Sequence, residues 1–83
     1  MRIYHVLSQE TGEFLGAVEI EQGESVGEMW SESGEVDTYV NVDGLTGQRL
    51  YMQIVDDFAA ELGCPPGDFY LTDENETQIL CAM

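Results

Sequence analysis

Residues 46–63, TGQRLYMQIVDDFAAELG, decide how the rest of this chain is read. Leu50, Ile54, Phe58 and Leu62 recur at every fourth position, flanked by Tyr51, Val55 and Ala59, so on an α-helix their side chains form one broad apolar stripe. Thr46 stands where an N-cap belongs, with Arg49 rather than Glu at the capping-box position. Gly63 suits the residue just past a helix end, and Pro65 and Pro66 prevent continuation. A lone amphipathic helix must lay its stripe on another element, and the flanking sequence supplies strands.

Upstream, Ile3, His5 and Leu7 alternate with Tyr4 and Val6. Phe14, Gly16, Val18 and Ile20 alternate with Leu15, Ala17, Glu19 and Glu21. Residues 9–13, QETGE, place Gly12 where a short connection needs a positive φ, which predicts an antiparallel hairpin with Glu19 and Glu21 on one strand face. Val36, Thr38, Val40 and Val42 oppose Asp37, Tyr39 and Asn41 in a third strand that ends at the turn dipeptide Asp43-Gly44. Downstream of the helix, residues 69–72 read as a strand, 73–76 as a turn and 77–82 as a closing strand. The expected fold is α+β: a mainly antiparallel sheet of four to five strands with one amphipathic helix packed on one face, in the order ββ, acidic segment, β, α, ββ, as one domain over residues 1–83.

The acidic segment resists a single reading. Residues 19–37, EIEQGESVGEMWSESGEVD, hold Glu19, Glu21, Glu24, Glu28, Glu32, Glu35 and Asp37 with no Lys or Arg. Gly23, Gly27 and Gly34 punctuate it, while Val26, Met29 and Trp30 fall at helical spacing. One short helical turn around 25–31 would stack Glu24, Glu28 and Glu32 on one face. An irregular strand or loop would spread the charges along an edge. Seven like charges repel at roughly 0.2 to 0.5 kcal/mol per neighbouring helical pair, so fold stability gives no reason to gather them.

Seventeen carboxylates stand against Arg2 and Arg49 alone, a net charge of −15 without any Lys. Such a field repels DNA and anionic membranes and steers the protein toward basic surfaces. Direct nucleic-acid binding is therefore disfavoured. With 43% hydrophobic residues the chain is too apolar for plain disorder. The N-terminal MRIYHVLSQE carries no signal-peptide pattern, and no apolar run approaches the roughly 20 residues that cross a bilayer, so a cytoplasmic protein is expected. In that reducing compartment Cys64 and Cys81 are read as two thiols rather than a disulfide.

Residue patterns for chemistry are sparse. His5, the single histidine, sits among strand apolar residues and reads as structural. One histidine and two cysteines fall short of a zinc set. The calcium-loop pattern fails at residues 73–78, which lack the third acid and the Gly, and around Asp43-Gly44, where Tyr39 and Leu50 occupy ligand positions. The Gly63–Gly67 stretch lacks the Lys of a phosphate loop. Neither catalysis nor a cofactor or metal is expected.

A surface acidic merely for solubility mixes both signs, and the total lack of Lys here argues against that reading. Duplex DNA carries one charge per about 1.7 Å of axis. Carboxylates two apart on a strand repeat at about 6.6 Å, and four apart on a helix at about 6 Å, so either can engage several Lys and Arg side chains of a nucleic-acid groove. Trp30, Tyr39 and Tyr70 are residue types that supply specificity in interfaces. In size, charge and compactness the chain resembles the small acidic inhibitors of phages and mobile elements, among them DNA-mimic anti-CRISPR proteins, anti-restriction proteins and the uracil-DNA glycosylase inhibitor. The resemblance implies a non-enzymatic inhibitor in a host bacterial cytoplasm that occupies the Lys/Arg-rich groove of a CRISPR effector subunit or another nucleic-acid-binding enzyme. The expected contacts are Glu19, Glu21, Glu24, Glu28, Trp30, Glu32, Glu35 and Asp37, with Asp56, Asp57 and Glu61 on the polar helix face as a second patch. The rivals are a small domain of a salt-adapted cell with no inhibitory role, and a ubiquitin-like or antitoxin-like binding module.

Overall fold

The computed structural model of the chain describes residues 1–81, with side chains for residues 1–79. The helix forms as its periodicity predicts: α1 spans Gly47–Leu62 and buries Leu50, Ile54, Val55, Phe58 and Ala59. Thr46 is the N-cap residue in extended conformation, without a side-chain capping bond. At the other end Gly63 adopts φ 72°, the Gly63 N–H donates to Ala60 O at 3.3 Å and the Cys64 N–H to Ala59 O at 3.0 Å. These paired bonds satisfy carbonyls that a helix end otherwise leaves open.

Among the described residues six strands accompany it: β1 Arg2–Ser8, β2 Phe14–Ile20, β3 Val26–Ser31, β4 Asp37–Asn41, β5 Phe69–Thr72 and β6 Gln78–Cys81. They form one sheet in the order β4-β3-β2-β1-β5-β6. Every pairing is antiparallel. The fold class is α+β as expected, with a larger sheet than the four to five strands anticipated. Because β4 lies at one edge and β5 beyond β1, α1 crosses one sheet face between them. Tyr4, Val6, Val18, Ile20, Met29, Val40 and Leu71 meet it there in a single core.

The additional strand is β3, built from the segment whose sequence allows a helical turn, a loop or an irregular strand, and the extended alternative is the one it takes. Helical spacing of Val26, Met29 and Trp30 is not used. Gly27, Met29 and Ser31 are buried toward α1, while Val26, Glu28 and Trp30 point to the opposite face. A Cβ at Gly27 would stand 2.8 Å from Ile20 Cγ1, so this inward position accepts only glycine without repacking. A buried set of Gly, Met and Ser hides the period-2 pattern that β-branched residues would have displayed.

A second departure concerns Phe14, whose alternation places it with Gly16, Val18 and Ile20. The register shifts between Val6 and Leu7, which pair with Gly16 and Phe14, leaving Leu15 as the extra residue of a bulge. Phe14 therefore lies on the face away from α1, edge-on to His5 at 5.4 Å and to Trp30 at 5.9 Å, and Leu15 packs against the core instead. Gly16, next along, admits α1: a Cβ there would collide with the Trp30 carbonyl oxygen and stand 2.9 Å from Phe58 Cε2.

The two terminal strands match expectation within the described residues, and Ala82 lies outside them. So does the side chain of Cys81, and with it the reading of Cys64 and Cys81 as unpaired. Cys64 Sγ donates to Leu62 O at 3.7 Å. Among the described residues no helix is long and apolar enough to cross a membrane.

Candidate functional site

The face of the sheet that α1 leaves uncovered holds the densest part of the acidic segment. Antiparallel pairing sets Glu19 directly opposite Glu28, and Glu28 opposite Tyr39. Such opposed Cβ atoms are about 4.5–5.5 Å apart, and like charges so placed destabilise a sheet. Glu21 and Glu24 follow at the β2–β3 turn, closed by the Glu24 N–H donating to Glu21 O at 3.1 Å. Together Glu19, Glu21, Glu24 and Glu28 wall a hollow of about 270 Å³ whose other lining is Val26 and Tyr39. At 45% and 66% exposure, Val26 and Tyr39 are among the most exposed large apolar side chains of the protein.

This chemistry suits the side chain of Lys or Arg. An aliphatic stem covers Val26 and the Tyr39 ring, and the cationic head reaches the carboxylates. Among the described residues no three His, Cys, Asp or Glu side chains converge closely enough to hold a metal ion. The glutamates form a spread array rather than a chelate. Nor does the protein neutralise them itself. Arg2 bonds to Tyr4 Oη at 3.4 Å, and among the described residues no ion pair ties either arginine to a carboxylate.

The expected contact set is divided by the fold. Glu32 and Glu35 occupy the β3–β4 turn, beyond the end of β3 at Ser31 and away from the turn that carries Glu21 and Glu24. They border a separate recess with Glu13, Phe14, Leu15 and Leu62. Ser31 locks that turn, its Oγ accepting from the Val36 N–H at 3.0 Å. Asp37 lies on the uncovered face opposite Trp30. Trp30 is partly buried, and its Nε1–H donates to Glu19 Oε2 at 3.0 Å, so it orients a carboxylate of the hollow.

On α1, Asp57 accepts from Gln53 Nε2 at 2.9 Å and lines, with Glu61 and Tyr39, a shallow groove at the β4 edge. Tyr39 thus borders both the four-glutamate hollow and the helix patch, and joins them around the sheet edge. Asp56 is exposed and lines neither. Val26 was missed by sequence reasoning, because its role in the hollow appears only once β3 is known to be extended.

No family model, curated protein or solved structure matches this chain.

Proposed function

We propose that this protein is a non-enzymatic inhibitor that binds the Lys/Arg-lined nucleic-acid groove of a bacterial defence nuclease complex, with a CRISPR effector subunit as the partner class its resemblance implies. The observation that carries the reading is the hollow walled by Glu19, Glu21, Glu24 and Glu28 over Val26 and Tyr39. Four carboxylates gathered on two strands and the turn between them, with no ion pair to an arginine among the described residues, oppose folding, and a basic partner relieves that repulsion on binding. The arrangement does not call for catalysis: the partner's cations take the place they would occupy against nucleic-acid phosphates, and occupancy alone excludes the nucleic acid. Single exposed pairs contribute about 0 to 1 kcal/mol, so affinity depends on the array.

The test is displacement of labelled duplex DNA from guide-loaded CRISPR effectors and other DNA-binding defence nucleases. Wild-type protein should compete with DNA for at least one of them. The quadruple variant Glu19→Gln, Glu21→Gln, Glu24→Gln, Glu28→Gln should lose about ten-fold or more, about 1.4 kcal/mol. The helix variant Asp56→Asn, Asp57→Asn, Glu61→Gln should lose less. Undiminished competition by the quadruple variant would refute the site, and no competition by wild type would refute the function.

A further inference from the structure

The acidic hollow occupies only one end of the uncovered face. From there an aromatic and aliphatic band runs across the strands: Trp30 on β3, Phe14 on β2, His5 and Leu7 on β1, Tyr70 on β5. Trp30, Phe14 and His5 form a continuous edge-to-face series with centroid separations of 5.9 and 5.4 Å. All five side chains remain partly exposed. The band ends in a recess of about 340 Å³ bordered by His5, Leu7, Phe14, Tyr70, Thr72 and Gln78, among others. Thr72, 4% exposed, has its Oγ1 buried there without a hydrogen-bond partner among the described residues.

A sheet face that served only solvent would alternate polar residues outward. This one presents rings over a buried, unpartnered Thr72 hydroxyl, and it is flanked by carboxylates at both ends: Glu19, Glu28 and Asp37 toward β4, Glu76 at the β5 recess. A second copy of a chain with net charge −15 is repelled from it. Charge complementarity instead requires a cationic occupant, and the band requires that occupant to carry apolar groups between its cations.

We propose that the uncovered sheet face, from Tyr39 across Trp30 and Phe14 to the recess over Thr72, is a docking face for a protein surface with an apolar centre flanked by lysines or arginines. This rests on the acidic-hollow reading and adds to it. The carboxylates bring the partner in and set its orientation. The band excludes water at the centre of the contact, where a few buried anchors dominate affinity. The partner is then not any basic groove but one with an exposed aliphatic or aromatic residue between its phosphate-binding cations.

The probes are three nine-residue peptides, alternating Lys with Leu, Lys with Ser, and Glu with Leu, titrated against full-length protein while Trp30 emission and amide NMR shifts are recorded. The Lys–Leu peptide should bind at least ten-fold more tightly than the equally charged Lys–Ser peptide and shift Trp30 emission to the blue. It should move the amides of Leu7, Phe14, Tyr70 and Thr72, whereas Lys–Ser moves only those around Glu19–Glu28 and Tyr39. The double variant Leu7→Ser, Tyr70→Ser should erase the preference for Lys–Leu. The wild-type shift map stands as the independent readout if that variant does not fold. Equal affinity for both cationic peptides, with no shifts along the band, would overturn the docking face and leave the acidic hollow standing. Binding of neither would overturn the hollow and this inference together. Comparable binding of Glu–Leu, or a dimer in sedimentation with blue-shifted Trp30, would make the occupant apolar or a second copy and overturn the proposal.

Discussion

Glu28 faces Glu19 across one strand pair and Tyr39 across the other, so its charge opposes folding while its position favours a cation. Removing that charge should show both effects with opposite sign. Glu28→Gln should raise stability by roughly 0.2 to 1 kcal/mol. That is an increase of up to several degrees in Tm for a domain of this size, read by thermal unfolding at low salt. The same substitution should weaken binding of the Lys–Ser peptide. Glu19→Gln is a poorer probe, since Glu19 also accepts from Trp30 Nε1–H. Ser31 offers a purely structural counterpart: Ser31→Ala deprives the buried Val36 N–H of its side-chain acceptor and should lower stability by about 1 to 3 kcal/mol in denaturant unfolding, with peptide affinity unchanged. At Gly16 any Cβ meets Phe58 and the Trp30 carbonyl, so Gly16→Ala should destabilise by about 1 to 3 kcal/mol.

At the level of elements, α1 and β3 differ in how openly the sequence declares them. The α1 stripe uses large residues at regular spacing and ends at Gly63, two residues before Pro65 and Pro66, so length, face and terminus were all legible. Phe58, fully buried and edge-on to Phe69 at 5.5 Å, sits at the centre of that stripe. Phe58→Ala should lower stability by about 3 to 5 kcal/mol, as much as a small domain possesses, and abolish the cooperative unfolding transition followed by circular dichroism. β3 conceals itself because its inward residues are Gly27, Met29 and Ser31, and a helical coincidence of Val26, Met29 and Trp30 covers the alternation. The bulge at Leu15 is equally hidden: it arises from pairing between β1 and β2, which no local pattern encodes, and it alone moves Phe14 into the aromatic band. The carboxylates of the hollow were legible by type. Their gathering was not, since it depends on the β2–β3 register and on Tyr39 arriving from β4.

For the whole molecule, one charge distribution governs both folding and binding, and salt separates them. A net charge of −15 on a body of 33 × 24 × 19 Å places most carboxylates within interaction range of one another. The Debye length falls from about 30 Å at 0.01 M to about 8 Å at 0.15 M, so added salt relieves self-repulsion among exposed groups. The same screening weakens attraction to a cationic partner. Between 0.05 and 0.5 M NaCl (about 14 to 4 Å of Debye length), the unfolding midpoint should rise while Lys–Ser affinity falls. The Lys–Leu peptide should lose proportionally less, because burial against the aromatic band is not screened. A housekeeping domain of a salt-adapted cell behaves otherwise: it loses its cooperative transition near 0.1 M, regains it in molar salt, and has no reason to prefer a cationic peptide with apolar centres. A cooperative transition at 0.15 M whose midpoint and peptide affinity respond to salt with opposite slopes selects the inhibitor reading, and loss of that transition at 0.15 M selects salt adaptation.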